Sequence, residues 1–361
     1  MATLLEIQSY LRRYTVEVRP NLKDAVKALK GEGQSFLLID EQVARLYPES
    51  LLEDHDKVLR IKATEEQKSY HQIAPLIEEL IRLGMNKSSR LLVIGGGVTQ
   101  DIGCFIASIF NRGIPWDFIP TTLLAQCDSC IGSKSSINIG PFKNQLGTFY
   151  PPQKVALVFP VLNTLSETEI CSGLGEIIKL GLIAGNDQLN QMKSQIQKLK
   201  QNPSQQTALL GELVLQSLKI KKVFIEEDEF DQGVRNLLNY GHTFGHAYES
   251  ATQYKIPHGI AVLLGMSTAT YFSEKLSLVP SNSFNELNSW VRDLYSPFHK
   301  LIGSSNIEDI LKAMKTDKKN SQGKVNCILT HGPGTMKKHP LDLENEIRPL
   351  LKTFIKELHL P

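Results

Sequence analysis

The chain has 361 residues, of which 41% are hydrophobic and 22% charged, a composition typical of a globular protein with a large buried core. Forty Lys and Arg against 38 Asp and Glu leave a formal net charge of +2, so no basic excess indicates a nucleic-acid partner. Five scattered cysteines indicate free thiols rather than a disulfide framework. With no signal-peptide pattern and no run of about 18 apolar residues, we expect a cytoplasmic protein without a membrane partner.

Roughly the first 160 residues alternate strand-like and helix-like patterns, which predicts a parallel sheet covered by helices. Short apolar runs predict strands at Ser35–Asp40, Arg90–Ile94 and Trp116–Thr122. Helical spacing predicts helices over 41–51, 65–83 and 101–110, and Gly84 would end the second of them as a C-cap.

From about Leu165 onwards the pattern becomes helical and poor in strands. Helical spacing recurs over 176–185, 207–225 and 237–251. The sequence therefore predicts an α/β domain over 1–165 and a mainly helical domain over 166–361.

A glycine run, Gly95-Gly96-Gly97, stands where a predicted strand meets a predicted helix. Glycines there let backbone N–H groups approach a phosphate, and the helix N-terminus adds positive potential. The run lacks the G-x-G-x-x-G spacing of the dinucleotide fingerprint. A phosphate-binding loop and a plain tight turn both remain open.

Three histidines lie close together in the sequence: His242 and His246, four residues apart, and His258. On a helix the first two would project from one face. Glu176 and Lys179 share another predicted helical face. Two histidines and one carboxylate leave an open position on Zn²⁺, as in catalytic zinc sites. Spacing alone does not decide which two histidines bind the metal.

Several cationic and amide side chains could form a pocket for a polyanionic substrate beside Asp128. Two of them, Arg235 and Asn239, are spaced so that one helical face would carry them in a row with His242 and His246. The pair Cys127 and Cys130 has no second pair and does not favour a zinc or redox site. The cationic and amide residues are Arg112, Lys134, Lys143, Asn144, Lys221, Arg235, Asn239 and Lys318.

At these residues the chain resembles the sugar phosphate cyclases, and among them the 3-dehydroquinate synthase family. The resemblance covers nearly the whole chain, with motifs in the family's order: GGGVTQD, RGIPWDFIPTTLLAQCDSCIGSK, KNQLGTFYPP, GLGEIIKLGLI, RNLLNYGHTFGHAYE and PHG. It implies an α/β NAD-binding domain, a mainly helical metal-binding domain and an active site between them.

The resemblance also implies a role for individual residues. The ligands of Zn²⁺ or Co²⁺ would be Glu176, His242 and His258, with His246 an active-site group. The substrate-binding and catalytic set would be Asp128, Lys134, Asn144, Lys179, Lys221, Arg235, Asn239 and Lys318, with Lys143 counted here or with the cofactor. NAD contacts would come from Asp40, Glu65, Lys68, Gly96, Gly97, Val98, Asp101, Thr121, Thr122, Leu162 and Thr164. Arg112 would reach the phosphate of a neighbouring subunit, which implies a homodimer.

The reaction implied is that of a phosphate-eliminating cyclase. NAD⁺ oxidises a ring hydroxyl held on the metal, phosphate leaves, NADH returns the hydride, and ring opening and an intramolecular aldol step close a carbocycle. Lys221 and Arg235 stand where the family binds the carboxylate of a 2-keto acid sugar phosphate. This favours 3-deoxy-arabino-heptulosonate 7-phosphate as substrate and 3-dehydroquinate as product.

Four differences from the family pattern suggest a divergent branch. Ile260 replaces a glutamate beside His258, Ser133 and Gln100 each replace a glycine, and residues 165–169 replace L-P-x-R-E. The alternatives are a cyclase for sedoheptulose 7-phosphate or a similar sugar, a metal- and NAD-dependent polyol dehydrogenase, and a binding protein without activity.

Overall fold

The computed structural model describes residues 4–31, 33–48, 57–140, 142–199, 206–315 and 324–358. These fall into two compact units, the first within Met1–Ser166 and Asn202–Asp231, the second within Glu167–Gln201 and Gln232–Pro361. The first division lies next to the predicted boundary at 165. The stretch Asn202–Asp231 differs from the prediction, because it lies with the first unit rather than the second.

The first unit is built on a seven-stranded sheet in the order β1-β2-β9-β6-β5-β3-β4. All neighbouring pairs are parallel except β1 and β2. The predicted parallel α/β architecture is confirmed. The strands are β1 Leu5–Ile7, β2 Tyr14–Val18, β3 Ser35–Asp40, β4 Val58–Ile61, β5 Arg90–Gly95, β6 Trp116–Pro120 and β9 Lys154–Leu157, and a separate hairpin pairs β7 Ile137–Ile139 with β8 Phe142–Leu146.

Helices cover this sheet, and two of them begin at residues other than those predicted. The helix expected over 65–83 begins only at Tyr70, because residues 65–68 form a turn. The helix expected over 101–110 begins four residues earlier, at Gly97, the last glycine of the run. The helices are α1 Leu22–Leu29, α2 Glu41–Leu46, α3 Tyr70–Arg82, α4 Gly97–Ile109 and, from the returning stretch, α7 Thr207–Glu227.

Packing explains why α7 lies with the first unit. Its buried face contacts the 3₁₀ turn Phe159–Thr164, whose first residue brings an aromatic ring close to the helix. A Cβ on Gly211 would lie 2.8 Å from the ring of Phe159. The apolar face that predicted this helix is therefore buried against the sheet unit.

The second unit is mainly helical and is organised around one buried helix, α9, which is apolar on nearly every side. One hairpin, β10 Lys324–Thr330 and β11 Met336–Asp342, accompanies the helices. The helices are α5 Glu167–Ala184, α6 Asn186–Lys198, α8 His242–Ala251, α9 His258–Lys275, α10 Ser283–Tyr295, α11 His299–Gly303, α12 Ile307–Lys315 and α13 Arg348–Leu358. Within the described residues, no helix has the length and apolar character needed to span a membrane.

The predicted continuous helix over 237–251 is wrong. A 3₁₀ turn occupies Val234–Asn239, and α8 starts only at His242. Between them Gly241 takes a left-handed φ of +81°, which a residue with a Cβ adopts at a cost. Arg235 and Asn239 therefore do not share a helical face with His242.

Candidate active site

The predicted cofactor residues of the first unit gather at one edge of the sheet. Asp40 ends β3, Gly96 and Gly97 follow β5, Thr121 and Thr122 follow β6, and the turn with Leu162 and Thr164 follows β9. In parallel α/β sheets, ligands bind at this carboxyl edge. Strand periodicity alone could not show that these four strands are neighbours.

The glycine run sits against a threonine and starts a helix. Gly96 is the N-cap of α4, and among the described residues no side-chain cap hydrogen bond forms at the start of this helix. A Cβ on Gly96 would lie 2.9 Å from the side chain of Thr122. The uncapped N–H groups and the close backbone approach suit the phosphates of a dinucleotide, so the residues present fit NAD.

A buried lysine connects four other predicted residues of this unit. The Nζ of Lys68 lies 3.0 Å from Asp101 and 3.1 Å from Asn144. Glu65 lies 3.5 Å from Lys68, and Lys143 lies 3.5 Å from Glu65. Burial raises the pKa of Asp101 although Lys68 opposes this shift. Burial alone would lower the pKa of Lys68, but Asp101 and Glu65 outweigh it and raise that pKa.

Two further ion pairs hold predicted substrate-binding residues. The Nζ of Lys221, on α7, lies 2.6 Å from the carbonyl oxygen of Asp128 and 3.1 Å from its carboxylate. The Nζ of Lys134 lies 2.5 Å from the carboxylate of Asp231. Sequence reasoning missed Asp231, since an acidic residue beyond the end of a predicted helix carries no spacing signal.

Two of the departures from the family pattern have local structural consequences in this unit. Ser133 adopts a φ of +65°, a left-handed conformation that a glycine takes without strain. Gln100 is buried, donates a hydrogen bond to the carbonyl oxygen of Ser129 and accepts one from its hydroxyl, both at 2.6 Å. The side chain of Gln100 thus holds α4 to the segment that carries Asp128.

Arg112 and the cysteine pair lie in different environments. Arg112 is exposed and has a φ of +65° at the end of the turn that follows α4. Cys127 and Cys130 are buried free thiols, and burial raises the pKa of Cys130 to about 12. A thiol of this kind is inert, which agrees with the interpretation that the pair is neither a zinc nor a redox site.

In the second unit, glycines bring three helices into close contact. A Cβ on Gly259 would lie 1.7 Å from the carbonyl oxygen of Ser172, which places α9 directly on α5. A Cβ on Gly265 would lie 2.0 Å from the carbonyl oxygen of Gly241, which places α9 directly on the start of α8. Only residues without a side chain allow these crossings. They bring side chains of α5, α8 and α9 together at one end of α9.

The side chains brought together there are those expected to bind metal. The Oε1 of Glu176 lies 3.7 Å from Nε2 of His242 and 3.5 Å from Nε2 of His258. The ligand nitrogens of His242, His246 and His258 all lie within 4.8 Å of one another. The distances therefore permit two sets of metal ligands: Glu176 with two histidines, or the three histidines together.

The buried carboxylate of Glu176 fits a metal ion at this point. Glu176 is 1% exposed, and within the described residues no hydrogen bond satisfies its Oε1. An oxygen that faces two imidazole nitrogens from beyond hydrogen-bond distance leaves space for an ion with bonds of about 2.0–2.2 Å. Lys179 forms an ion pair with the other oxygen, Oε2.

The charges of the site also suit a metal. Burial alone would raise the pKa of Glu176, but Lys179 and His258 outweigh it and lower that pKa to about 2. Burial, with repulsion from Lys179 and His246, holds the pKa of His242 well below its ordinary value. At neutral pH Glu176 is therefore a carboxylate and His242 a neutral imidazole, the forms in which both bind metal.

The remaining predicted residues are distributed as follows. Arg235 is 4% exposed, and Asn239 donates a hydrogen bond from its side chain to the carbonyl oxygen of Asn236 at 3.0 Å. Both lie on the 3₁₀ turn that precedes α8. Ile260 is buried and apolar, one helical residue beyond Gly259. Lys318 lies outside the described residues.

Comparison with known proteins agrees with this fold. The structure of 2-deoxy-scyllo-inosose synthase with carbaglucose-6-phosphate, NAD⁺ and Co²⁺ superposes with a TM-score of 0.84 at 24% identity, covering 98% of this chain and 99% of that one. The structure of 2-epi-5-epi-valiolone synthase from Streptomyces hygroscopicus subsp. jinggangensis 5008, with NAD⁺ and Zn²⁺, superposes with a TM-score of 0.82 at 24% identity, covering 95% and 97%. The fold is therefore that of the sugar phosphate cyclases.

Sequence comparison identifies the family within that fold. Residues 58–172 match the family described as 3-dehydroquinate synthase N-terminal, and residues 173–320 match its C-terminal counterpart. A 3-dehydroquinate synthase from Alkaliphilus metalliredigens (strain QYMF) is 33% identical over 335 residues, covering 91% of this chain and 92% of that protein. The chain belongs to the 3-dehydroquinate synthase family, a family of phosphate-eliminating cyclases.

Proposed function

We propose that this protein converts 3-deoxy-arabino-heptulosonate 7-phosphate to 3-dehydroquinate, with loss of phosphate, using NAD and a divalent metal. Family membership over nine-tenths of the chain supports the cyclase chemistry. The observation that carries the choice of substrate is that two predicted carboxylate-binding cations are buried, Lys221 in the first unit and Arg235 in the second, at 6% and 4% exposed. Arginine binds a carboxylate through two parallel hydrogen bonds, and the keto acid offers a carboxylate where other cyclase substrates have none.

The proposed cofactor sites divide between the two units. In the first unit, the uncapped start of α4 at Gly96, with Asp40 and Thr122 nearby in the sheet edge, would hold NAD. In the second, Glu176, His242 and His258 would hold Zn²⁺ or Co²⁺. When bound, NAD takes up and returns a hydride and the metal supplies a Lewis acid for a substrate hydroxyl.

The chain's own residues would orient the substrate and move protons. His246 is exposed beside the metal residues, where it can accept or donate a proton in general acid–base steps. Lys179 would hold the Glu176 carboxylate in its ionised form. Lys134 and Asn144 would bind the phosphate that leaves, since a preformed cation stabilises developing negative charge.

Phosphate release from a panel of sugar phosphates tests the proposal. The purified protein, with NAD⁺ and Zn²⁺, should release phosphate from the 2-keto acid sugar phosphate faster than from sedoheptulose 7-phosphate or glucose 6-phosphate. Faster turnover of a sugar without the carboxylate would reassign the protein to another cyclase activity. Stoichiometric NADH, read at 340 nm with a polyol as substrate, would instead indicate a dehydrogenase, because a cyclase recycles its cofactor.

We further propose that the protein is a cytoplasmic homodimer in which Arg112 acts on the partner's phosphate site. The side chain of Arg112 is exposed at a turn with a left-handed φ. Mixing an Arg112→Ala protein with a Lys134→Ala protein should restore part of the activity, because the mixed dimer holds one intact composite site. If subunits exchange and no activity returns, Arg112 does not act across an interface.

A further inference from the structure

His258 makes contacts through both of its ring nitrogens. Its Nε2 faces Glu176 in the candidate metal site, and its Nδ1 lies 3.3 Å from the carboxylate of Glu249. A carboxylate only accepts hydrogen bonds, so this contact requires the proton on Nδ1. With the proton on Nδ1 held by Glu249, Nε2 is the ring nitrogen that can bind a metal ion, which takes the place of any proton there.

Glu249 lies on the same helix as the other two histidines. His242, His246 and Glu249 are spaced i, i+4 and i+7 on α8, and therefore share one face. The side chain of Glu249 is 14% exposed, against 36% for His258. A partly buried acid thus reaches from α8 to the first residue of α9.

The acidic residue that the family pattern places beside His258 is absent from this sequence. Residue 260, where the family pattern has glutamate, is Ile260, and it is 1% exposed among apolar neighbours on α9. Among the described residues, the carboxylates within contact of the His258 ring are those of Glu176 and Glu249. Glu176 faces the metal side of the ring, which leaves Glu249 for the opposite nitrogen.

We propose that Glu249 is a positioning residue for the metal site: it accepts the Nδ1–H hydrogen bond of His258 and so fixes the tautomer and orientation in which Nε2 binds the metal. This inference rests on the proposed function, since it requires that the second unit binds a divalent ion. Acids in this position make the imidazole a stronger ligand, and their removal costs roughly 10–100-fold in metal affinity.

Competition with a chromophoric zinc chelator tests the role without an activity assay. Zn²⁺ should bind Glu249→Ala about 10–100-fold more weakly than the unsubstituted protein, and Glu249→Gln more weakly by a smaller factor, because an amide oxygen still accepts a hydrogen bond. Glu286→Gln is the matched control: it removes the same charge from an exposed position on α10 in the same unit and should leave zinc affinity unchanged.

A spectroscopic measurement separates positioning from a loss of structure. With Co²⁺ in place of Zn²⁺, the visible d–d bands of Glu249→Gln should shift, while its metal-free thermal unfolding should match that of the unsubstituted protein. Unchanged zinc affinity and unchanged d–d bands in both Glu249 variants would overturn the inference. If the unsubstituted protein itself binds no Zn²⁺, the proposed metal site fails first, and the inference about Glu249 fails with it.

Discussion

Gly175 and Gly259 meet backbone to backbone where α5 crosses α9: a Cβ on Gly175 would lie 2.1 Å from the carbonyl oxygen of Gly259. Each glycine precedes or follows a candidate metal ligand, since Glu176 comes after Gly175 and His258 before Gly259. The Gly259 N–H donates a hydrogen bond to the hydroxyl of Ser172 at 3.0 Å, which fixes the crossing. The distance between Glu176 and His258 is therefore set by a contact that tolerates no side chain.

Adding one methyl group at this crossing should disturb both stability and metal binding. Gly175→Ala should cost about 1–3 kcal/mol in the free energy of unfolding, because overpacking forces the helices apart. It should also weaken Zn²⁺ binding by separating Glu176 from His258. Gly181→Ala on the same helix is the control, since the atom nearest to its Cβ would be the flexible sulfur of Met192 at 3.0 Å, and the atoms of Leu189 lie at ordinary contact distances of 3.5 and 3.6 Å. Equal stability of the two variants in chemical denaturation would contradict the crossing as described.

Single substitutions distinguish the two possible ligand sets. His242→Ala should lose bound Zn²⁺ and activity together, because one of three protein ligands is gone. His246→Ala should keep the metal and lose turnover. Metal content by elemental analysis decides between them. A His246→Ala protein without zinc, beside a Glu176→Gln protein that retains it, would establish the three-histidine set instead.

Replacing the lysine at the centre of the first unit's polar network should make stability depend more strongly on pH. Lys68→Met leaves the carboxylate of Asp101 without its ammonium, and breaking a buried ion pair costs roughly 3–5 kcal/mol at neutral pH. The pKa of Asp101 is already raised, and loss of Lys68 raises it further. When the pKa of a group is raised by folding, the folded protein becomes less stable as the pH rises through that pKa. The loss of unfolding free energy in Lys68→Met should therefore be smaller in mild acid.

The free energy of unfolding at neutral and mildly acidic pH checks this prediction. Lys62→Met, at a nearby exposed position, is the control and should show the same small difference from the unsubstituted protein at both pH values. A Lys68→Met deficit that grows in acid would show that Asp101 is not the group left uncompensated.

The choice of substrate should depend on Arg235. Arg235→Leu should lose about 2–5 kcal/mol of transition-state stabilisation for the 2-keto acid sugar phosphate. This energy is obtained from the ratio of the kcat/KM values of the unsubstituted protein and the variant. The same variant should lose little on a substrate with a hydroxymethyl group in place of the carboxylate, which serves as the internal control. Equal losses on both substrates would indicate that Arg235 supports the fold rather than the carboxylate.

Much of the first unit followed from local pattern. The apolar runs at β3, β5 and β6 predicted buried parallel strands. The glycine run at the end of β5 indicated either a phosphate-binding loop or a tight turn between strand and helix. Such features depend on residues close in sequence, whose periodicity and backbone freedom report directly on strand, helix and turn. The family resemblance, carried by motifs spread along the chain, likewise required no tertiary information.

Tertiary contacts decided the rest. Helix α8 starts at His242 and not earlier because Gly241 packs against the backbone of α9 in a left-handed conformation. The partnerships of His258 with Glu249 and of Lys134 with Asp231 join different elements. Helical spacing describes the faces of one helix, whereas the choice of facing helix depends on the volume at each crossing. In this protein glycines without a side chain set those crossings, and so the geometry of the candidate metal site.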